Sequence, residues 1–347
     1  MLAVFASFPA SNALGHQQVL LAFSTFADET THNANEHKKF LEHVLMRYKK
    51  SWVNVAALIG DNVSVNQKLA TDLYKRLIGC ASHRYNLAIK DMINSHDAVF
   101  KIVNKLMGKL RYGLLAARLR KEAPLAAVQM NDTRWSSAFS MLKRYIELRE
   151  ILPRLNDATV DALMPTAPQN REIDGLFRMM VELEEIQLDL QHEQCTLLST
   201  RDNFDVLLSR HPEMAGRLNA DARIVHSPEF ERAVVLIQDG RESTLSASEA
   251  ASVAFMRKAS DADSDVGEQT LLQSARKKRK LRDATAARNY LDTRFLLPTS
   301  NICERFFSKA RNAIGDNRKS LSTENIGAQL FLHCNMHLWN ILDVNSL

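Results

Sequence analysis

The sequence predicts an α/β protein whose mixed front is interrupted by a large all-α region and closed by a helical tail. Short apolar runs bounded by turn residues fill the chain up to about Ile93, and helical periodicity replaces them after Asn94. Aromatics make up 7%, and 11 Gly with 8 Pro in 347 residues are too few for an all-β sandwich full of tight turns. Hydrophobic residues at 46% and charged residues at 24% match an average globular protein, which excludes a wholly disordered or collagen-like chain. The length suits two or three domains. We expect 1–93 and 288–347 to form one core and 94–287 to form a helical insertion.

Leu2 to Phe8 and Val19 to Phe26 are apolar runs separated by Pro9, Ser11, Asn12 and Gly15, the spacing of a hairpin. From Asn33 to Tyr48, Phe40, Leu41, Val44, Leu45 and Tyr48 follow a helical period, which predicts a surface helix. Val53 to Ile59 reads as a buried parallel strand ending at Gly60-Asp61-Asn62. Asp61 is thereby placed at a strand's carboxyl edge, where α/β sheets usually carry their chemistry. A helix over 64–77, a short strand over 78–81 and a helix over 83–93 complete the front.

The insertion opens with a helix over 98–121 that carries Lys101, Lys105, Lys109, Arg111, Arg118, Arg120 and Lys121 and no acidic residue. The three lysines recur every four residues and share a face. Around Met180 to Glu193 the sign reverses. Ser243 to Gln269, rich in Ser, Ala and Asp, reads as a mobile loop reaching to about 275. Arg276, Lys277 and Lys278 open a run of five basic residues, which is either a solvated helix start or a nuclear-import or phosphate-contacting segment. Such segments compose the formal charge of +5. In the tail, Pro298-Thr299-Ser300 starts an amphipathic helix over 302–314, and a second start at Ser322 precedes the stripe Ile326, Leu330, Phe331, Cys334 and Leu338.

Cys80, Cys195, Cys303 and Cys334 show no CxxC pair, so neither a disulfide framework nor a zinc site is legible, and a reducing compartment fits. No signal peptide or membrane span is read.

Four pieces matter together: Gly60-Asp61-Asn62 with Asn66; Cys80-Ala-Ser-His83 with Asn86-Leu87; Thr133-Arg134-Trp135-Ser136; and the stretch from Leu297 to Ser308, which contains Glu304-Arg305. Taken singly, Asp61 is a helix cap or a ligand. Trp135 is a core aromatic or a stacking platform, and Glu304 is a ligand or an ion-pair partner of Arg305 or Lys309. In this order the pieces resemble the hAT superfamily of DNA transposases, and Arg318, Leu321, Leu330, Phe331, Leu332, Asn335 and Trp339 resemble that family's C-terminal dimerisation region.

The resemblance implies an RNase H-like core interrupted by a helical insertion. It further implies DNA cutting by two divalent ions, Mg²⁺ or Mn²⁺, held by two aspartates and a glutamate; hard cations prefer oxygen ligands and a metal pair stabilises both oxygens of phosphoryl transfer. By motif position Asp61 is the second aspartate and Glu304 the glutamate. His83 would help hold the scissile phosphate, Trp135 would stack on an extruded base, and Arg134 would contact a phosphate. Leu330, Phe331, Cys334, Leu338 and Trp339 would serve self-association.

The family's first aspartate, two positions before a Trp, and its N-terminal zinc finger do not occur ahead of Leu2. The expectation is therefore an incomplete core that binds DNA and dimerises in the nucleus, without a working metal pair. An active cut-and-paste transposase in fragment form and a helical scaffold protein with no nucleic-acid role are the alternatives. No membrane partner is expected.

Overall fold

The computed structural model describes residues 2–10, 15–24, 33–131, 135–258, 289–314 and 323–339. The fold is α/β, mostly helical, with a small β part in two separate two-stranded sheets. The chain divides into two compact units: residues 1–83, 192–210 and 219–347 form the first, and 84–191 with 211–218 form the second.

In the first unit, β1 (Leu2–Pro9) and β2 (His16–Ser24) form the expected antiparallel hairpin. Leu21 is the extra residue of a β-bulge opposite the Val4/Phe5 step. A bulge leaves backbone groups that need other partners, and two side chains supply them. The Tyr48 hydroxyl donates to the Leu21 carbonyl at 2.8 Å. The buried Asn335 amide accepts from the Leu20 N–H at 3.0 Å and donates to the Leu20 carbonyl at 2.9 Å.

Helix α1 (Ala34–Arg47) starts on Asn33, whose side chain accepts the amides of Asn35 and Glu36. The expected strand over 53–59 is shorter. A 3-10 turn occupies Trp52–Asn54, held by the Asn54 side-chain Oδ1 accepting from the Ser51 N–H, and Val53 is 87% exposed. The strand β3 is Ala57–Gly60. The expected helix over 64–77 also shortens: α2 spans Ser64–Asp72, and β4 spans Arg76–Gly79, two residues ahead of the strand expected over 78–81. The stop is a Schellman-type turn, in which the Lys75 amide bonds to Ala70 and the Tyr74 amide to Thr71. Tyr74 stands at the left-handed position (φ 51°) where glycine is usual, and its side chain is 90% exposed. Tyr74→Gly should therefore raise stability by about 0.5–1 kcal/mol, since the strain disappears and no packing is lost. A higher urea midpoint with an unchanged slope is the expected readout.

β3 and β4 pair in parallel, in register from Ala57↔Arg76 to Gly60↔Gly79. Helix α3 (Ala81–Ser95) follows at once.

The second unit continues with α4 (Asp97–Leu110) and α5 (Gly113–Glu122). The single helix expected over 98–121 is thus broken at Arg111–Tyr112, because Gly113 takes φ +67°. Asp97, just ahead of the expected span, pairs with Lys101 at 2.6 Å. Val99, Phe100, Val103, Leu106, Met107 and Leu110 bury the other face of α4. After them come α6 (Trp135–Leu148), the short α7 (Ala158–Asp161) and the long α8 (Ala167–Leu190).

Helix α9 (Leu197–Arg210) belongs to the first unit, but the following short segment returns to the second. There, α10 (Ala215–Leu218) is fixed by buried Met214 and Leu218, and Arg217 pairs with Asp91 at 2.8 Å. The chain then re-enters the first unit with α11 (Pro228–Gln238) and α12 (Ala247–Ser252).

Of the loop expected over 243–275, the described part, to 258, is folded, and the rest lies outside the described residues. Ser246 and Glu249 form a capping box, and Val253 and Met256 are buried with Phe230, Ile237 and Tyr290 in one core of the first unit. A second core gathers Leu20, Phe306, Ala310 and Leu330, with Phe5, Phe23, Ile326, Phe331 and Cys334 packed on it. Phe306, on the helix Asn301–Ile314, meets Phe5 and Phe23 edge-on at 5.6 and 4.9 Å. Leu330 comes from the last helix, Thr323–Cys334. No described helix is long and apolar enough to cross a membrane.

Candidate functional site

The carboxyl ends of β3 and β4 carry Asp61 and Cys80, each the first residue past its strand. This end is built by backbone and amide contacts. The Cys80 N–H donates to the Gly60 carbonyl at 2.7 Å, and the Asn62 side chain donates to the Cys80 carbonyl at 3.2 Å. The Asn66 side chain donates to the Asp61 carbonyl at 3.0 Å. Asn62 fits because residue 79 is glycine: a Cβ there would stand 1.8 Å from Asn62 Oδ1.

Onto this end the chain brings Pro298–Ser300, more than two hundred positions later. The Ala81 N–H donates to the Pro298 carbonyl at 2.8 Å. The Ser300 N–H donates to Cys80 Sγ at 3.3 Å, and the Ser300 hydroxyl lies 3.4 Å from Asp61 Oδ1, at the limit of a hydrogen bond. Cys80 Sγ also accepts the backbone N–H of His83, so it caps α3 as a serine would.

Burial pushes the Cys80 thiol above its ordinary value, and the Asp61 charge adds to this against the opposing hydrogen bonds. The Cys303 thiol is pushed up to about 11, by burial first and then by Asp61, Cys80 and Glu304. Both thiols are therefore protonated near neutral pH and unreactive as nucleophiles.

The sequence-selected residues are distributed as follows. The charges of Asp61 and of Glu304, next to Cys303 in the chain, both raise the Cys303 thiol, and Glu304 is exposed in the first turn of the Asn301–Ile314 helix. His83 is half-buried in the first turn of α3. Trp135 belongs to the second unit, where it opens α6 half-buried, 6.2 Å from the Phe139 ring that stacks on Phe177 at 5.6 Å. Lys101, Lys105 and Lys109 are exposed along α4. Arg134 and Arg276, Lys277 and Lys278 lie outside the described residues.

The tail stripe divides. Leu330 is 5% exposed, and Phe331 and Cys334 pack beside it on the hairpin of the same chain. Leu338 is 56% exposed and Trp339 is half-buried, its indole N–H donating to the Leu332 carbonyl at 3.0 Å.

Among the described residues no third carboxylate joins Asp61 and Glu304 to complete a two-ion centre. Besides Asp61 and Glu304 the surroundings offer a hydroxyl and protonated thiols, whereas Mg²⁺ and Mn²⁺ take oxygen ligands. Among the described residues no group of three or more His, Cys, Asp or Glu is placed to hold a metal ion.

In the sequence Ser300 is legible only in a helix start and motif and Asn335 only within the tail resemblance; their contacts with Cys80, Asp61 and Leu20, distant in the chain, leave no local signal, and Tyr112 is not singled out. No family model matches the chain, and no curated protein is similar to it.

Proposed function

We propose that the chain is a DNA-binding, self-associating protein derived from a hAT-type transposase, with an incomplete RNase H-like core and no cutting activity of its own. The observation that carries this reading is the convergence of Pro298–Ser300 on Asp61, Cys80 and Ala81 across the whole helical middle. Three of the four motifs that make the resemblance meet there. An antiparallel pair followed by a parallel pair is compatible with such a core, and the exposed lysine row of α4 supplies a face for phosphates. With no third carboxylate joined to Asp61 and Glu304 among the described residues, the reading expects no two-ion cutting.

The purified chain should bind duplex DNA with an affinity that falls steeply as salt rises. Replacing Lys101, Lys105 and Lys109 with Ala should weaken binding across sequences and reduce the salt slope by about 2, the Lys101–Asp97 pair diminishing the contribution of the first lysine. An unchanged slope would remove α4 from the interface, and absence of DNA binding would sink the reading in favour of a scaffold protein. Metal-dependent nicking of DNA that disappears in Glu304→Ala would refute the inactive form and establish the transposase alternative.

A further inference from the structure

The corner between α4 and α5 has the makeup of a nucleic-acid contact that touches bases as well as phosphates. Arg111, Tyr112, Gly113 and Leu114 are all exposed, and the Tyr112 and Leu114 side chains are each 68% exposed. Neither contributes to the core of the second unit, which α5 joins through Ala116 and Leu119. Gly113 turns the chain with φ +67°, and a Cβ there would meet nothing within 4 Å, so the corner projects into open space.

A partner that covered this aromatic and this leucine together would take their apolar area out of water. The surroundings state the partner's charge. Lys105 and Lys109 lead up to the corner on the exposed face of α4, successive lysines rising by about 6 Å along the axis. The Arg111 guanidinium lies 5.4 Å from the centre of the Tyr112 ring. Arg120 and Lys121 close α5. A polyanion with flat apolar groups satisfies both properties: its phosphates meet the cations, and an unpaired base stacks on the Tyr112 ring already backed by Arg111. A paired duplex hides its base faces and would leave the ring in water.

We infer that the Arg111–Leu114 corner binds unpaired bases of DNA, with Tyr112 as the stacking platform and Lys105, Lys109 and Arg111 as the phosphate contacts. This rests on the DNA-binding reading above and adds to it a preference for single-stranded or locally opened DNA.

Fluorescence anisotropy of the full chain with a short labelled single strand, and with the matching duplex, tests it. Tyr112→Ala should weaken single-strand binding about tenfold while leaving duplex binding unchanged, and Tyr112→Phe should retain the affinity of the original. Circular dichroism should not change, because the side chain is exposed. Equal losses on both DNA forms, or no loss on either, would overturn the stacking role while leaving the DNA-binding reading intact. If the unaltered chain binds neither form, the DNA-binding reading falls and this inference with it. Sedimentation with phosphatidylserine vesicles that is lost in Tyr112→Ala would instead assign the corner to a lipid surface and overturn the inference.

Discussion

Asn335→Ala should destabilise the first unit by about 2–4 kcal/mol, because one substitution leaves both backbone groups of Leu20 buried and unpaired. The position is 4% exposed and Leu20 1%, so water does not replace the amide without rearrangement. Denaturant unfolding of the first unit should shift to lower concentration, and exchange of the Leu20 amide should accelerate. Asn335→Asp is the sharper variant. It keeps the acceptor but sets a carboxylate oxygen against the Leu20 carbonyl, so it should be at least as costly at neutral pH. An Asp variant as stable as the original would show that the amide pairing contributes nothing.

Gly79→Ala is the second large effect. The new Cβ would take the place of Asn62 Oδ1, so the Asn62 side chain must leave and its bond to the Cys80 carbonyl is lost. Overpacking of this kind costs about 1–3 kcal/mol, and the broken contact adds to it. The same exchange in an Asn62→Ala background should cost far less, because the obstructing atoms are gone. A double-mutant cycle on denaturation midpoints measures the difference. If both backgrounds lose equally, the cost does not arise from the seat Gly79 gives Asn62.

These two positions show what was legible in the sequence and what was not. Alternating apolar runs around Pro9 and Gly15 declared the hairpin, and Asn33 ahead of a periodic stretch declared α1. The errors fall where local chemistry overrides a pattern. Tyr74 holds a left-handed turn that normally announces itself as glycine, so the helix expected over 64–77 runs past the end of α2 into the first residues of β4. Gly113 sits in an unbroken helical period and splits it. Val53 extends an apolar run, yet Ser51 and Asn54 fold that stretch into a turn facing water. At the site, the residue types and their order were readable, including Asp61 past a parallel strand. The hold of Ser300 on Cys80 was not, because a contact across 220 positions leaves no local period.

The brief return of the chain to the second unit at 211–218 sets a timetable for synthesis. The second unit has its last residues, including buried Leu218, once that position leaves the ribosome. The first unit waits for Leu330 and Asn335, which at ordinary elongation rates takes roughly 6 to 25 seconds more. During that interval the hairpin at the start of the chain has been made but lacks the helix and the amide that cover it. Strands β1 and β2 thus leave the ribosome long before the segments that shield them, and a chaperone acting on the nascent chain would find its substrate there.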